Sequence, residues 1–218
     1  MRPSLAAGLA AALCLANAAP TCAQTAAAAP RHTEDSAESV ALAPRYLLQD
    51  ARGRVLTHES FRGRFQLISF GFTSCPDVCP TTLLAYKNII DALGAQAERL
   101  QPIFITVDPE RDTAPMLREY TAAFHPAILG LRGSPELLQR AAESFRVRYE
   151  KVREPGAAPE IYTMDHSTGM YLLDADGHFL AKFASNAPAQ EISARIRSLM
   201  AADQARTPPS RRGNAPLR

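Results

Sequence analysis

Phe65-Gln66-Leu67-Ile68-Ser69-Phe70-Gly71-Phe72 leads through Thr73-Ser74 directly into Cys75-Pro76-Asp77-Val78-Cys79-Pro80. The first eight residues are a short apolar run of the length and composition of a buried central strand. Beyond the cysteines, Leu83, Tyr86, Ile90 and Leu93 recur at helical spacing, which predicts a helix opened by Pro80 and closed by Gly94. The cysteine pair therefore sits in the loop between a buried strand and the helix that follows it.

Working outward, Tyr46-Leu47-Leu48 and Val55-Leu56 flank Asp50-Ala51-Arg52-Gly53, the pattern of an N-terminal β-hairpin. Downstream, Ile103–Val107 reads as a strand, Leu117, Tyr120 and Phe124 as a helix entered near Asp112-Thr113, and Ile128–Leu131 as a strand. Ser134-Pro135 opens a helix carrying Leu137, Leu138, Ala141 and Phe145. Val147–Val152 follows, then an irregular stretch over 153–165. Met170–Leu173 and Phe179–Phe183 form a hairpin around Asp174-Ala175-Asp176-Gly177, and Ile192, Ile196, Leu199 and Met200 mark a closing amphipathic helix. Strand, helix, strand, helix, hairpin, helix is an α/β sandwich with a mixed central sheet flanked by helices. With cysteines after the first buried strand, the arrangement is thioredoxin-like.

The 218 residues, 46% of them hydrophobic, suffice for one core and hardly for two. The chain divides into a leader at 1–23, a flexible linker at 24–39, one domain at 40–202 and a disordered basic tail at 203–218. In the leader, Met1-Arg2-Pro3 precedes the alanine- and leucine-rich run Leu5–Ala19, and a small-x-small site ends at Ala23. That is the pattern of a secretory signal peptide, so the chain is expected to be exported to the periplasm. If the leader were not cleaved, it would tether the domain to the membrane. Setting aside Arg2 and the four arginines after Gln204 takes the net charge from +2 to about −3 for residues 24–203. A body of that charge offers no basic face for nucleic acid.

Cys14 and Cys22 lie in the leader, so an exported form keeps only Cys75 and Cys79. An oxidising compartment joins such a pair into a disulfide unless a metal or a reductant intervenes. Placed at or before a helix N-terminus, Cys79 should have its thiol pKa lowered toward neutrality by the dipole. Thiolates are soft ligands that select Cu(I), zinc or iron–sulfur clusters. Structural zinc and most clusters need four protein ligands. Copper is satisfied by fewer, and two sulfurs with one imidazole suit it. The plainer reading is a structural disulfide closing a very short loop, which contributes little entropy.

His166, in Met164-Asp165-His166-Ser167, favours the metal reading. In thioredoxin-like redox proteins a cis-proline faces the cysteines just before the hairpin strand. Here Asp165-His166 takes that place near the start of a late strand, and the nearest preceding proline is Pro159. His32, His58, His125 and His178 are read as ordinary histidines. Asp77 and Asp165 are solvated loop acids, or partners that tune the site from behind its ligands.

Phe70-Gly71-Phe72-Thr73-Ser74-Cys75-Pro76-Asp77-Val78-Cys79-Pro80-Thr81 is similar, almost residue for residue, to the signature of the Sco/SenC family. These are copper-binding, thioredoxin-like proteins of cytochrome c oxidase assembly. Val107-Asp108-Pro109-Glu110-Arg111-Asp112-Thr113 resembles the family's second block. Asp165-His166-Ser167, with Met170-Tyr171-Leu172 and Asp176-Gly177, resembles its third. The resemblance spans roughly residues 42–202.

The resemblance implies that Cys75, Cys79 and His166 bind copper as Cu(I) or Cu(II), and that the cysteines cycle between dithiol and disulfide. It assigns no ligand to 108–113, whose acids would order a loop beside the site. It implies a metallochaperone that delivers copper to the binuclear copper centre on the copper-bearing subunit of cytochrome c oxidase. Other copper chaperones or thiol reductants would be further partners, and no residue takes a catalytic role. The competing function is a thiol–disulfide oxidoreductase that reduces the cysteines of the oxidase copper site. Many family members are held by a transmembrane helix, whereas the leader here is short and alanine-rich.

Overall fold

A computed structural model describes residues 42–206. The leader, the linker up to residue 39 and the tail beyond Arg206 lie outside the described residues. The N-terminal hairpin forms as expected, from β1 (Leu47–Asp50) and β2 (Val55–Thr57). Asp50 closes its turn: one carboxylate oxygen accepts the N–H groups of Arg52 and Arg54, both at 2.9 Å.

β3 (Phe65–Gly71) and β4 (Leu100–Thr106) are buried at every position. A strand buried throughout is covered on both faces, and its sequence loses the alternation of a half-exposed strand. β3, β4 and β5 (Leu129–Arg132) run parallel. β1 adds antiparallel to β5, while β8 (Met170–Leu173) adds antiparallel to β3 and β9 (Phe179–Phe183) to β8. The seven-stranded order is β2-β1-β5-β4-β3-β8-β9, so the mixed sheet is as expected and β3 lies well inside it. The helices are α1 (Val78–Leu93), α2 (Ala114–Phe124), α3 (Pro135–Ser144) and α4 (Ala189–Arg206). α1 packs on α4, α2 on β5 and α3 on β1.

α2 and α3 begin as their sequences predict. The hydroxyls of Thr113 and Ser134 accept the N–H groups of Met116 and Leu137, and proline stands in each first turn. Gly94, at φ 56°, ends α1 in the left-handed region that glycine adopts without penalty.

Four expectations need correction. α1 starts at Val78, two residues before Pro80, with Asp77 at its N-cap. Cys79 is therefore inside the first turn rather than ahead of it. β4 starts at Leu100, not Ile103, and takes in Pro102. Proline is tolerated there because β5 pairs with β4 only from Ile103 onward, leaving that side of Pro102 without a strand neighbour. The stretch 153–165 is not wholly irregular: β7 (Thr163–His166) pairs antiparallel with β6 (Tyr149–Val152) in a separate two-stranded ribbon. Only Met164 of β7 is buried, so no apolar periodicity marked the strand. α4 continues past residue 202 to Arg206, because its last turns are polar and exposed and carry no apolar pattern to follow.

Candidate metal centre

The cysteine loop leaves the C-terminal end of β3. Its start is fixed by Asp112, fully buried, which accepts the Thr73 N–H at 3.0 Å and the hydroxyls of Thr73 and Thr106 at 2.6 and 2.5 Å. The Val107 N–H donates to the Gly71 carbonyl at 2.8 Å, tying the ends of β4 and β3 together. The 108–113 block thus orders the cysteine loop from behind. Within the loop the Cys75 N–H donates to the Phe72 carbonyl at 3.3 Å. The Cys79 N–H, one of the free donors of the first helical turn, points at Cys75 Sγ, 3.4 Å away.

Both thiols are free, but their surroundings differ. Cys75 is half-buried, whereas Cys79 is 2% exposed. Burial pushes the Cys79 thiol well above the ordinary thiol range; a backbone hydrogen bond from Phe72 pulls the other way, and the neighbouring Cys75 adds to the rise. The expected drop toward neutrality is overturned at Cys79. A helix terminus favours the thiolate by a modest amount, and desolvation outweighs it.

His166 stands at the last position of β7, not near the start of a strand. Its Nε2 faces Cys79 Sγ at 3.9 Å. Its Nδ1 is 3.0 Å from the Ser167 carbonyl. A carbonyl oxygen only accepts, so Nδ1 carries the hydrogen, which leaves Nε2 as the ring nitrogen available to a metal on the side of the sulfur. The Phe72 ring meets the imidazole edge-on at 6.0 Å. Typical metal–nitrogen and metal–sulfur bonds of about 2.0 and 2.3 Å together exceed the gap, so these two side chains would both be within reach of one ion. Cys75 Sγ is turned to the Cys79 N–H instead, and among the described residues no three His, Cys, Asp or Glu side chains form a ready-made cage.

Asp77 and Asp165 do not back the three donors. Both are exposed, and among the described residues neither carboxylate makes a hydrogen bond to Cys75, Cys79 or His166. Successive strand residues point to opposite faces, so Asp165 is turned away from the face that His166 presents. Asp77 contributes only its carbonyl, which accepts the Thr81 N–H and hydroxyl. The backing falls to Ser167, whose carbonyl holds the ring.

Three residues near the site went unread in the sequence. Gly71 leaves room for the sulfur: a Cβ there would lie 2.7 Å from both Cys79 Sγ and the Phe104 ring. Tyr120, packed on Phe104, has a buried hydroxyl without a hydrogen-bond partner among the described residues. Burial raises its pKa, and the charges of Cys79, Cys75 and Asp112 add to the rise. Tyr162 has its phenol pushed up to about 12 by burial and by the hydrogen bond and charge of Asp108. The sequence held one signal for these, Phe-Gly-Phe just before the cysteines.

The family model described as SCO1/SenC matches residues 34–201. The chain belongs to the SCO1/SenC family. A SCO2-like protein of Rickettsia felis is 37% identical over 155 residues, covering 71% of this chain and 75% of the relative. The copper-bound ScoI of Bradyrhizobium japonicum is 37% identical with a TM-score of 0.66, covering 72% of this chain and 99% of that one. BsSco, described as a Sco-family cytochrome c oxidase assembly protein with a disulfide switch, is 25% identical with a TM-score of 0.55, covering 72% and 92%. These solved family members share the thioredoxin-like α/β architecture found here.

Proposed function

We propose that this protein is a copper metallochaperone that carries the ion on Cys75, Cys79 and His166 to the binuclear copper centre of cytochrome c oxidase. The observation that carries the reading is the approach of His166 Nε2 to Cys79 Sγ at 3.9 Å, with the second thiol beside them. Two sulfurs and one imidazole are soft and borderline donors that select copper over magnesium or calcium. Loading requires Cys75 Sγ to leave the Cys79 N–H and turn to the ion. It also requires loss of the Cys79 proton, which a buried thiol gives up only when the metal replaces it. The copper-bound B. japonicum relative supports the choice of ion, and the membership of BsSco among the cytochrome c oxidase assembly proteins supports the recipient.

The proposed place of work is the periplasm, after export by the leader at 1–23 or while tethered by it. Among the described residues no helix is long and apolar enough to cross a membrane. A second reading is a thiol–disulfide oxidoreductase acting on the cysteines of the oxidase copper site. It is favoured by the half-buried Cys75 sulfur lying next to the Cys79 backbone in the redox position of a thioredoxin-like fold.

His166→Ala separates the two. A copper carrier keeps both thiols and Cu(I), whereas Cu(II) binding falls by more than the roughly 10–100-fold lost when a partner behind a ligand is removed, because here the ligand itself goes. Support of oxidase assembly falls with it. Copper titration, X-ray absorption and an oxidase complementation assay read this out. If His166→Ala supports assembly as well as the unaltered protein while Cys75→Ser does not, the carrier reading is wrong and the reductase takes its place.

A further inference from the structure

His166 does not ride on the seven-stranded sheet from whose β3 end the cysteine loop leaves. It ends the separate β6–β7 ribbon, opposite Tyr149. Within that ribbon Met164 is the buried apolar residue of β7. Apolar contact is non-directional, so Met164 sets how deep the ribbon sits without setting its orientation. The directional contacts come from Tyr162, the residue just before β7. Its hydroxyl donates to Asp108 Oδ1 at 2.9 Å, and its carbonyl accepts Arg111 Nη1–H at 2.9 Å. Its ring lies 3.8 Å from the Arg111 guanidinium carbon and 4.8 Å from the Lys151 ammonium of β6. Lys151 also pairs with Glu110 at 2.6 Å.

Arg111 joins these contacts to the metal side. It is paired with Asp108, which is 1% exposed, and its guanidinium carbon lies 5.9 Å from the Phe72 ring that meets His166 edge-on. The segment carrying Asp108 and Arg111 is the one whose Asp112 holds Thr73 at the start of the cysteine loop. Cysteine loop and histidine ribbon are thus anchored to one short segment.

We propose that Arg111 and Tyr162 are positioning residues that set the approach of the His166 imidazole to the cysteine pair, and so govern Cu(II) retention apart from Cu(I) retention. Cu(II) needs the imidazole as a third donor, whereas two sulfurs serve Cu(I). Losing the clamp should leave a protein that still holds Cu(I) but sheds Cu(II). Arg111→Lys is not conservative here, because an ammonium cannot bond Asp108 and the Tyr162 carbonyl as a planar fork while stacking on the ring.

The inference rests on the copper reading for its metal readout, so the test carries a metal-free arm. Full-length protein bearing Tyr162→Ala, Arg111→Lys or the milder Tyr162→Phe is compared with the unaltered chain. Cu(II) affinity should fall roughly 10–100-fold in the first two variants, as for other residues that hold a ligand in place. Imidazole nitrogen coupling in the electron paramagnetic resonance spectrum should weaken, with Cu(I) affinity nearly unchanged and Tyr162→Phe in between. In the reduced, metal-free proteins, hydrogen exchange at the Met164–His166 amides should quicken and the His166 Nδ1–H signal should weaken. Unchanged Cu(II) affinity and coupling in Tyr162→Ala and Arg111→Lys would overturn the inference. If the unaltered protein takes up no copper, the copper reading fails alone, and the metal-free signals still decide whether the clamp exists.

Discussion

Cys75 and Cys79 are separated by one turn of chain, and burial assigns them different work. Cys79 is sealed against Gly71 and Phe104 with its thiol pushed far up, while Cys75 lies half-buried on the approach to the site. The thiolate is the reactive form, and access controls the rest. In the reduced, metal-free protein, iodoacetamide at neutral pH should modify Cys75 first and Cys79 slowly, by about an order of magnitude or more. Peptide mapping of a time course checks this, and equal rates would show that the Cys79 pocket is open in solution. In an exchange reaction the same asymmetry makes Cys75 the sulfur that meets a partner. The residue types of the site were legible in the sequence: two cysteines and a histidine in the place of a proline. The burial of Cys79 was not, because it depends on Phe104 from another strand and on the missing side chain of Gly71.

Among the elements, those with strong periodicity or caps were legible, and those built on pairing were not. β3 and α1 announced themselves through apolar runs, whereas β7 has one buried residue and exists because β6 lies beside it. The position of His166 on β7 was therefore hidden, although the residue itself stood out. The N-terminal hairpin is legible in its turn residues, and its chemistry permits a test. Burial alone would raise the Asp50 carboxyl, but the side-chain bond, N–H and charge of Arg54, with the Arg52 N–H, hold it below the usual carboxylate range. A folded pKa below the unfolded one means that the unfolded chain takes the proton first as pH falls. The contribution is then complete above the unfolded value of about 3.9 and is lost as pH falls through the folded one. Asp50→Asn should cost about 1.5 kcal/mol at pH 7, the low end for hydrogen bonds to a charged group, because Arg54 is largely exposed and its charge is screened. The difference should shrink below pH 4. Denaturant curves that stay parallel down to pH 3 would show that the carboxylate contributes nothing through its charge.

At the scale of the whole molecule, the site joins two pieces: the end of the central sheet with its helix, and a ribbon whose two strands pair only with each other. The fold class was legible because the order of elements restricts the sheet to few arrangements. The joint between the pieces was not, since it runs through Asp112, Asp108, Arg111 and Tyr162, polar residues with no periodicity to betray them. An ion held by donors from both pieces binds the folded protein better than the unfolded chain, whose two neighbouring thiols keep some hold on Cu(I). Part of the binding free energy therefore becomes folding free energy, and the full gain is a ceiling. At a free copper concentration one hundred times the dissociation constant, the gain is about 2.7 kcal/mol. For a domain of this size that raises the melting temperature by roughly 5–10 °C. Thermal unfolding of the reduced protein should show this rise with Cu(I) or Cu(II). His166→Ala should reduce it chiefly for Cu(II), because that variant removes the ribbon's donor and leaves both sulfurs. Oxidation of Cys75 and Cys79 to the disulfide should abolish it for both ions, since a disulfide sulfur is not an anionic ligand. A rise of the same size in the verified disulfide form would place the copper elsewhere on the protein and separate its stability from the site described.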